Sequence, residues 1–235
     1  MPPARTRTTS ALGVTDDADF GSAAQRERRK RILDATLALA SKGGYDAVQM
    51  RTVAERADVA LGTLYRYFPS KIHLLVSALT LEFERTQEKL DRRPVPGETP
   101  YERMLYVLSR VTRSMQREPM LTEAMTRAFM FADPSAAAEV NTVARQMERM
   151  FTRAMHHGPP TADDIAIARL IGDVWLSNLV AWVTRRASAD DVSSHLELAA
   201  RLLLRRDGPL PPAGELTARR ARRMRPVPRP RARDR

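Results

Sequence analysis

The sequence predicts an all-α protein in which a small three-helix unit precedes a larger helical bundle. Good helix formers such as Ala, Leu, Arg, Glu and Met dominate the 235 residues, while aromatic residues make up 6%. Apolar residues recur at helical rather than strand spacing. The predicted helices near the N-terminus are short and the later ones are long, so we expect about nine helices and no strands.

Composition divides the chain into four segments. Residues 1–21 have no helical periodicity and are predicted to be a disordered arm. Residues 22–69 hold the short helices, and residues 70–207 hold the long ones. Residues 208–235 are rich in Arg and Pro and are predicted to be a disordered tail. Because most of the net charge of +11 lies in this tail, charge alone is weak evidence for nucleic-acid binding.

Start and stop signals set the helix boundaries of the first half. Gly43 and Gly44 end the first helix, which starts at Ala23, and Pro69 ends the third. Ser70 then caps the fourth helix, because its hydroxyl can accept from a free backbone N–H. The four predicted helices span residues 23–42, 50–57, 61–68 and 70–90.

Capping signals also mark the helices of the second half. Asp133, followed by proline, is typical of a helix start. Thr161 with Asp164, and Ser188 with Asp191, have the spacing of capping boxes. The five predicted helices span residues 101–117, 119–131, 133–155, 162–186 and 189–206.

Residues 50–68 have the spacing of a helix-turn-helix motif, in which a tight turn holds two short helices at a steep angle. The second helix of such a motif buries one face and presents small and polar side chains on the other. The residues predicted to be buried are Val53, Ala54, Ala57, Val59 and Leu64. The residues predicted to bind DNA are Arg51, Thr52, Leu61, Gly62, Thr63, Tyr65, Tyr67 and Lys71.

The side chains of this outer set suit different contacts with DNA. Gly62 leaves room for close approach, and Thr63 can hydrogen-bond a base or a phosphate. Leu61 can make only apolar contact, for instance with a thymine methyl group. The residues suited to phosphate contacts are Arg51, Tyr65 and Lys71. The same pattern also fits an ordinary helical turn with solvated tyrosines.

Three stretches resemble the DNA-binding domain of TetR-family regulators. They are Arg31-Ile-Leu-Asp-Ala, Arg51-Thr-Val-Ala-Glu-Arg-Ala and Gly62-Thr-Leu-Tyr-Arg-Tyr-Phe-Pro-Ser-Lys71. The resemblance implies a DNA-binding repressor that works as a dimer. Asp58 stands where the family usually has Gly in the turn, but Asp tolerates the left-handed conformation better than most residues. Ala60 stands where a capping Ser or Thr is common, and Gln49 replaces a common Thr.

Apolar stripes on the later helices predict either a ligand pocket or an ordinary core. Met and aromatic surfaces adapt to large, flat apolar molecules, and eight of the 11 methionines lie between Met104 and Met155. Asn178 is a candidate polar anchor, and Arg127 is a candidate partner for an anionic group. The predicted ligand-binding residues are Met104, Leu108, Met115, Leu121, Met125, Arg127, Phe129, Met147, Phe151, Trp175, Asn178 and Trp182.

Residues 121–135 closely resemble the sterol-catabolism repressors of the same family. That resemblance implies that the protein binds palindromic operator DNA and releases it when a sterol-derived coenzyme A thioester binds to the protein. The thioester would need a long apolar tunnel with a basic mouth. Dimerisation is expected because one recognition helix reads too few bases. The last two helices are predicted to form the dimer interface. The candidate dimer residues are Ile165, Ala168, Leu179, Leu196, Ala199 and Leu203.

Other classes of protein find little support in the sequence. There is no cysteine, no HExxH, no GxSxG and no glycine-rich phosphate loop, so we predict no enzyme, no metal site and no cofactor. No signal peptide or 18-residue apolar run is evident, which predicts a cytoplasmic, nucleoid-associated protein without a membrane partner. A helical adaptor that does not bind DNA, an activator, and a regulator of another lipid or drug effector stay open.

Overall fold

The computed structural model describes residues 16–156 and 158–204, and it is all-helical over these residues. The predicted all-α fold with about nine helices is therefore confirmed for this part of the chain. A single 3₁₀ turn, Pro134–Ala136, precedes the seventh helix. The helices are α1 Asp16–Ala47, α2 Met50–Arg56, α3 Leu61–Tyr67, α4 Lys71–Asp91, α5 Pro100–Arg117, α6 Pro119–Met130, α7 Ala137–Met155, α8 Ala162–Val183 and α9 Ala189–Leu204.

The boundaries of α1 differ from the prediction at both ends. The helix begins at Asp16, seven residues before the expected start, so residues 16–21 of the predicted arm are helical. Gly43 and Gly44 break the helical path rather than ending it, with Gly44 at a φ of 67°. The chain then continues in a last short turn to Ala47. The rest of the predicted arm and the predicted tail from residue 208 lie outside the described residues.

Side-chain caps fix the starts of α4, α5, α8 and α9, whereas α6 and α7 begin without one. Asp133, the predicted start of the seventh helix, caps the 3₁₀ turn before α7 instead. The Ser70 hydroxyl accepts from the backbone N–H of His73 at the start of α4. Complete capping boxes join Thr161 to Asp164 and Ser188 to Asp191. A third box, Thr99 with Glu102, opens α5 and was not predicted.

The large bundle packs around one tryptophan. Trp175 of α8 is buried and meets the rings of Phe83 and Phe151 edge-on, at centroid distances of 6.0 and 6.4 Å. Its indole N–H donates to the Thr112 hydroxyl at 3.0 Å. The guanidinium of Arg103 is also buried, and it donates to the carbonyls of four residues, at the end of α7 and in the loop before α5. These contacts fix α5, α7 and α8 against one another.

Helix α8 is more apolar than its burial requires. An 18-residue window within Ala162–Val183 has a mean hydropathy of 1.3, and 28% of that window is buried. By length and composition the helix could cross a membrane, but helices that pair inside a protein share this composition. This finding corrects the sequence-based expectation that no segment is long and apolar enough to cross a membrane. Helix α8 keeps apolar surface exposed after the chain has folded.

Candidate DNA-binding surface and ligand cavity

Helices α2 and α3 form the predicted helix-turn-helix. Asp58 has a φ of 53°, so the turn does use the left-handed conformation that Asp tolerates. The Val59 N–H donates to the Ala54 carbonyl at 3.0 Å and closes the turn. Val53 and Leu64 are fully buried within the unit formed by α1, α2 and α3, which we call the head. As the sequence implies, α3 begins without a side-chain cap, because its N-cap residue is Ala60.

The outer face of α3 is open to solvent. Leu61 is 41% exposed and Tyr65 is 47% exposed, although both are large and apolar or aromatic. A side chain added at Gly62 would meet nothing within 4 Å. Thr52 of α2 is exposed and Thr63 is half-buried. We call these five residues of α2 and α3 the reading face.

Three other residues of the predicted DNA-binding set have partners within the protein. Tyr67 is half-buried and packs against the core of the head. The ammonium of Lys71 lies 3.8 Å from the centroid of the Tyr45 ring, and burial lowers the pKa of Lys71 below its ordinary value. Arg51 is largely exposed and pairs with Glu55 at 3.1 Å. Of these three, Arg51 is the most accessible to a phosphate.

A cavity lies between α4, α5 and α6 and extends inward to α7 and α8. Its outer chamber is open to solvent and reaches the surface at Ser114 and Glu118. Its inner chamber is lined almost entirely by apolar side chains. The residues that line both chambers are Leu79, Phe83, Met115 and Met125.

Half of the predicted ligand-binding residues line this cavity. They are Met115, Leu121, Met125, Phe129, Met147 and Trp175. The sequence analysis missed the contribution of α4, because it considered the apolar stripes of the later helices only. The cavity-lining residues that it missed are Leu79, Glu82, Phe83, Thr86, Val111, Ser114, Glu118, Thr122, Thr126, Val143, Leu176 and Leu179.

The other predicted ligand residues lie elsewhere. Met104 and Phe151 are sealed in the core, and Leu108 borders a separate cavity between α5 and α9. Trp182 is half-buried against the core, outside the cavity. Asn178 donates to the Val174 carbonyl of its own helix, and its carbonyl oxygen lies 2.9 Å from His195 on α9. Asn178 is therefore not a polar anchor of the cavity.

Arg127, the predicted partner of an anionic ligand group, joins the head to the bundle instead. Its guanidinium lies 4.3 Å from the centroid of the Tyr45 ring and 3.7 Å from both Asp46 and Glu123. Glu123 also accepts from the Tyr45 backbone N–H at 3.1 Å. The ring of Tyr45 is thus in contact with two cations, Arg127 of α6 and Lys71 of α4. This contact is the joint between α1 and α6.

Two further polar links connect the outer chamber to α1. The Ser41 hydroxyl donates to Glu118, which lines the chamber, at 3.0 Å. Glu82, the other carboxylate of the chamber, accepts from Arg85 at 2.9 Å, and Arg85 also binds Asp34 of α1. Burial opposes the charge of Arg85, but hydrogen bonds to Asp34 and Glu82 outweigh it and raise the pKa of the guanidinium. The wall of the cavity is therefore tied to the head.

A helix-turn-helix head joined to an all-helical bundle defines a transcriptional regulator. The chain belongs to the TetR family: residues 32–78 match the model for bacterial regulatory proteins of that family. Residues 97–203 match the model for a tetracyclin repressor-like C-terminal domain. As a member of this family of DNA-binding proteins, the chain is a regulator and not an enzyme.

Curated relatives match this chain over almost the whole of their own length. The chain is 66% identical over 193 residues to the HTH-type transcriptional repressor KstR of Mycolicibacterium smegmatis, covering 82% of this chain and 95% of the relative. It is 62% identical over 203 residues to KstR of Mycobacterium tuberculosis, covering 86% of this chain and 92% of that protein.

Solved structures share the fold. A TetR transcriptional regulator from Rhodococcus sp. RHA1 matches with a TM-score of 0.70 and 34% identity, over 79% of this chain and 99% of that one. The TetR-family repressor FadR of Thermus thermophilus, crystallised with lauroyl-CoA, matches with a TM-score of 0.56 and 21% identity, over 78% of this chain and 98% of FadR.

Proposed function

We propose that the protein is a dimeric repressor of sterol or lipid catabolism genes that binds a palindromic operator and is released by a sterol-derived CoA thioester. The observation that carries this proposal is the identity of about two thirds to KstR repressors along nearly their entire length. The reading face supplies the surface for the operator, with Leu61, Gly62, Thr63 and Tyr65 at the bases and backbone.

Dimerisation through α8 and α9 accounts for the apolar surface that the single chain leaves open. Leu202 is 63% exposed, and Leu170 and Leu198 are also exposed on these helices. Ala168, Leu179 and Leu196, named as dimer residues from the sequence, are buried within the chain. The dimer face therefore uses neighbouring positions of the same two helices.

The cavity suits the apolar body of the proposed effector. The inner chamber offers Met, Phe and Trp side chains, and FadR shows that this fold can hold an acyl-CoA. The expected basic mouth is not found among the lining residues, where the ionisable groups are Glu82 and Glu118. Candidates for the phosphates of CoA are the exposed arginines of α5, Arg110, Arg113 and Arg117, although Arg113 lines the separate cavity between α5 and α9.

The ties between the cavity wall and α1 give a route for release. A ligand in the outer chamber competes with Ser41 for Glu118 and with Arg85 for Glu82. Loss of these ties frees α1, which carries the helix-turn-helix, to change its position relative to the bundle. The ligand need only bind the released arrangement better than the DNA-binding one.

The test is fluorescence anisotropy of a labelled duplex from the gene's own upstream region, titrated with protein and then with cholestenoyl-CoA. Tight binding that the thioester reverses, and that free CoA does not reverse, is the expected result. Tight binding without reversal would remove the proposed effector and keep the operator. Reversal by lauroyl-CoA alone would indicate a fatty-acid effector. A reporter driven by the same promoter distinguishes repression from activation when the gene is deleted.

A further inference from the structure

The lining of the cavity between α4, α5 and α6 changes in chemistry from the inside outward. The inner chamber is almost entirely apolar, with Phe129 and Trp175 among its lining residues. The outer chamber adds two carboxylates, Glu82 and Glu118, and the side chain of Ser114 at the surface. Carboxylates accept hydrogen bonds and repel anions, so the outer chamber favours a neutral group with N–H or O–H donors.

Two arginines flank the point at which the outer chamber reaches the surface at Ser114, which we call the mouth. Arg110 lies four residues before Ser114 on α5, and Arg117 lies three residues after it. Side chains at these spacings are neighbours on one face of a helix. Both arginines are exposed, and within the described residues neither guanidinium forms an ion pair or a hydrogen bond. Both are therefore available to an anion that approaches the mouth.

We infer that Arg110 and Arg117 bind the phosphate groups of the effector and make the cavity specific for coenzyme A as the carrier of the acyl group. The inference rests on the proposed function, because it places one part of that ligand at the same cavity. The order of the lining matches a CoA thioester: an apolar acyl group, a pantetheine arm with amide and hydroxyl donors, and phosphates at the far end. The pantetheine arm then lies beside Glu82 and Glu118, and the phosphates lie outside the mouth.

The spacing of the two arginines suits two separate phosphate groups. Seven residues correspond to about 10.5 Å along the helix axis. CoA carries a diphosphate and a separate 3′-phosphate on its ribose, and each guanidinium can bind one of these groups with two parallel hydrogen bonds. Arg113 is rotated by about 100° from Ser114 around the helix and lines the cavity between α5 and α9. It is therefore assigned no phosphate.

Calorimetric titration with three thioesters of the same acyl group tests the assignment. They are the CoA thioester, the dephospho-CoA thioester without the 3′-phosphate, and the pantetheine thioester without any phosphate. We expect Arg110→Gln and Arg117→Gln each to weaken binding of the CoA thioester about fivefold and to leave the pantetheine thioester within about twofold. With the dephospho-CoA thioester, only one of the two variants should still weaken binding.

Arg113→Gln is the matched control, because it removes the same charge from an exposed position of the same helix. It should leave the affinity for all three thioesters within about twofold. Equal weakening by all three arginine variants would indicate a general effect of charge. Equal weakening of the CoA and pantetheine thioesters by Arg110→Gln and Arg117→Gln would indicate a structural role. Either result would overturn the inference.

Two acyl groups, cholestenoyl and lauroyl, separate this inference from the proposed function. If lauroyl-CoA binds through Arg110 and Arg117 and cholestenoyl-CoA does not bind, the sterol effector fails and the inference stands. If cholestenoyl-CoA releases the operator but its pantetheine thioester binds equally tightly, the proposed function stands and the inference is overturned. Binding of neither CoA thioester would overturn the inference together with the proposed effector.

Discussion

Helices α3 and α6 distribute their residues in opposite ways. In α3 a single residue, Leu64, is buried, and the others face outward or lie at the margin. In α6 half of the residues are buried, and its polar residues Glu123 and Arg127 contact α1. The buried residues of α6 are Leu121, Thr122, Ala124, Met125, Thr126 and Ala128. Stability and recognition are therefore separable in α3, whereas α6 combines core packing, cavity lining and attachment of the head.

This difference limits what mutations can do in each region. If the reading face binds the operator as proposed, a change there should weaken operator binding and leave the fold intact, because few protein contacts are lost. A change in α6 affects the core, the cavity and the joint with α1 together. Mutations can thus change the binding specificity of the head without changing its stability. Mutations in α6 cannot change the binding specificity of the cavity without also affecting stability.

The largest expected effect comes from two leucines of α3. Leu64→Ala should lower the free energy of unfolding of the head by about 2–5 kcal/mol, because it leaves a cavity at a fully buried position. Leu61→Ala, at a position 41% exposed, should change it by less than about 0.5 kcal/mol. Urea unfolding followed by circular dichroism measures both. Only Leu61→Ala should keep the fold while weakening operator binding, and equal destabilisation by the two variants would contradict the separation.

The helix-turn-helix could be predicted residue by residue because its signals are local. Asp58, Leu64 and Pro69 determine the turn, the buried contact and the helix end within about a dozen residues of sequence. The cavity depends on which helices meet, and periodicity does not contain that information. Met104 and Met115 share a stripe of α5, but they lie about 16 Å apart along the axis, so one is in the core and the other lines the cavity.

Arg127 shows an error that helix geometry alone could have prevented. It is two residues from Met125 and two from Phe129, and two residues correspond to about 200° around a helix. Its side chain therefore points away from the cavity and toward α1.

Arg51→Ala has an intermediate expected effect and tests the head alone. Arg51 is 84% exposed and its pair with Glu55 contributes little to stability, so the unfolding free energy should stay within about 0.5 kcal/mol of wild type. If Arg51 binds a phosphate, operator affinity should fall about fivefold at physiological salt, and the slope of log affinity against log salt should decrease in magnitude by about one. Arg149→Ala, an exposed arginine of α7, is the control and should leave that slope unchanged.

The smallest expected effect tests the link between the two regions. Asp34→Asn weakens the tie between α1 and Arg85, which also holds the cavity carboxylate Glu82. If the tie belongs to the DNA-binding arrangement, operator affinity should fall about two- to threefold, and affinity of the free protein for the thioester should rise, because the mutation shifts the population toward the released arrangement. Removing a carboxylate would by charge alone raise operator affinity, so a decrease indicates a lost tie.

Asp91→Asn is the matched control for that variant. Asp91 is 49% exposed, compared with 42% for Asp34, and it pairs with Arg153 of α7 rather than with a residue that contacts the head. The same charge change should therefore leave both affinities unaltered. Anisotropy gives the operator affinity and tryptophan fluorescence gives the thioester affinity. Weaker operator binding by Asp34→Asn with unchanged thioester affinity would show that Asp34 only positions the head, and release would then require the joint at Tyr45 instead.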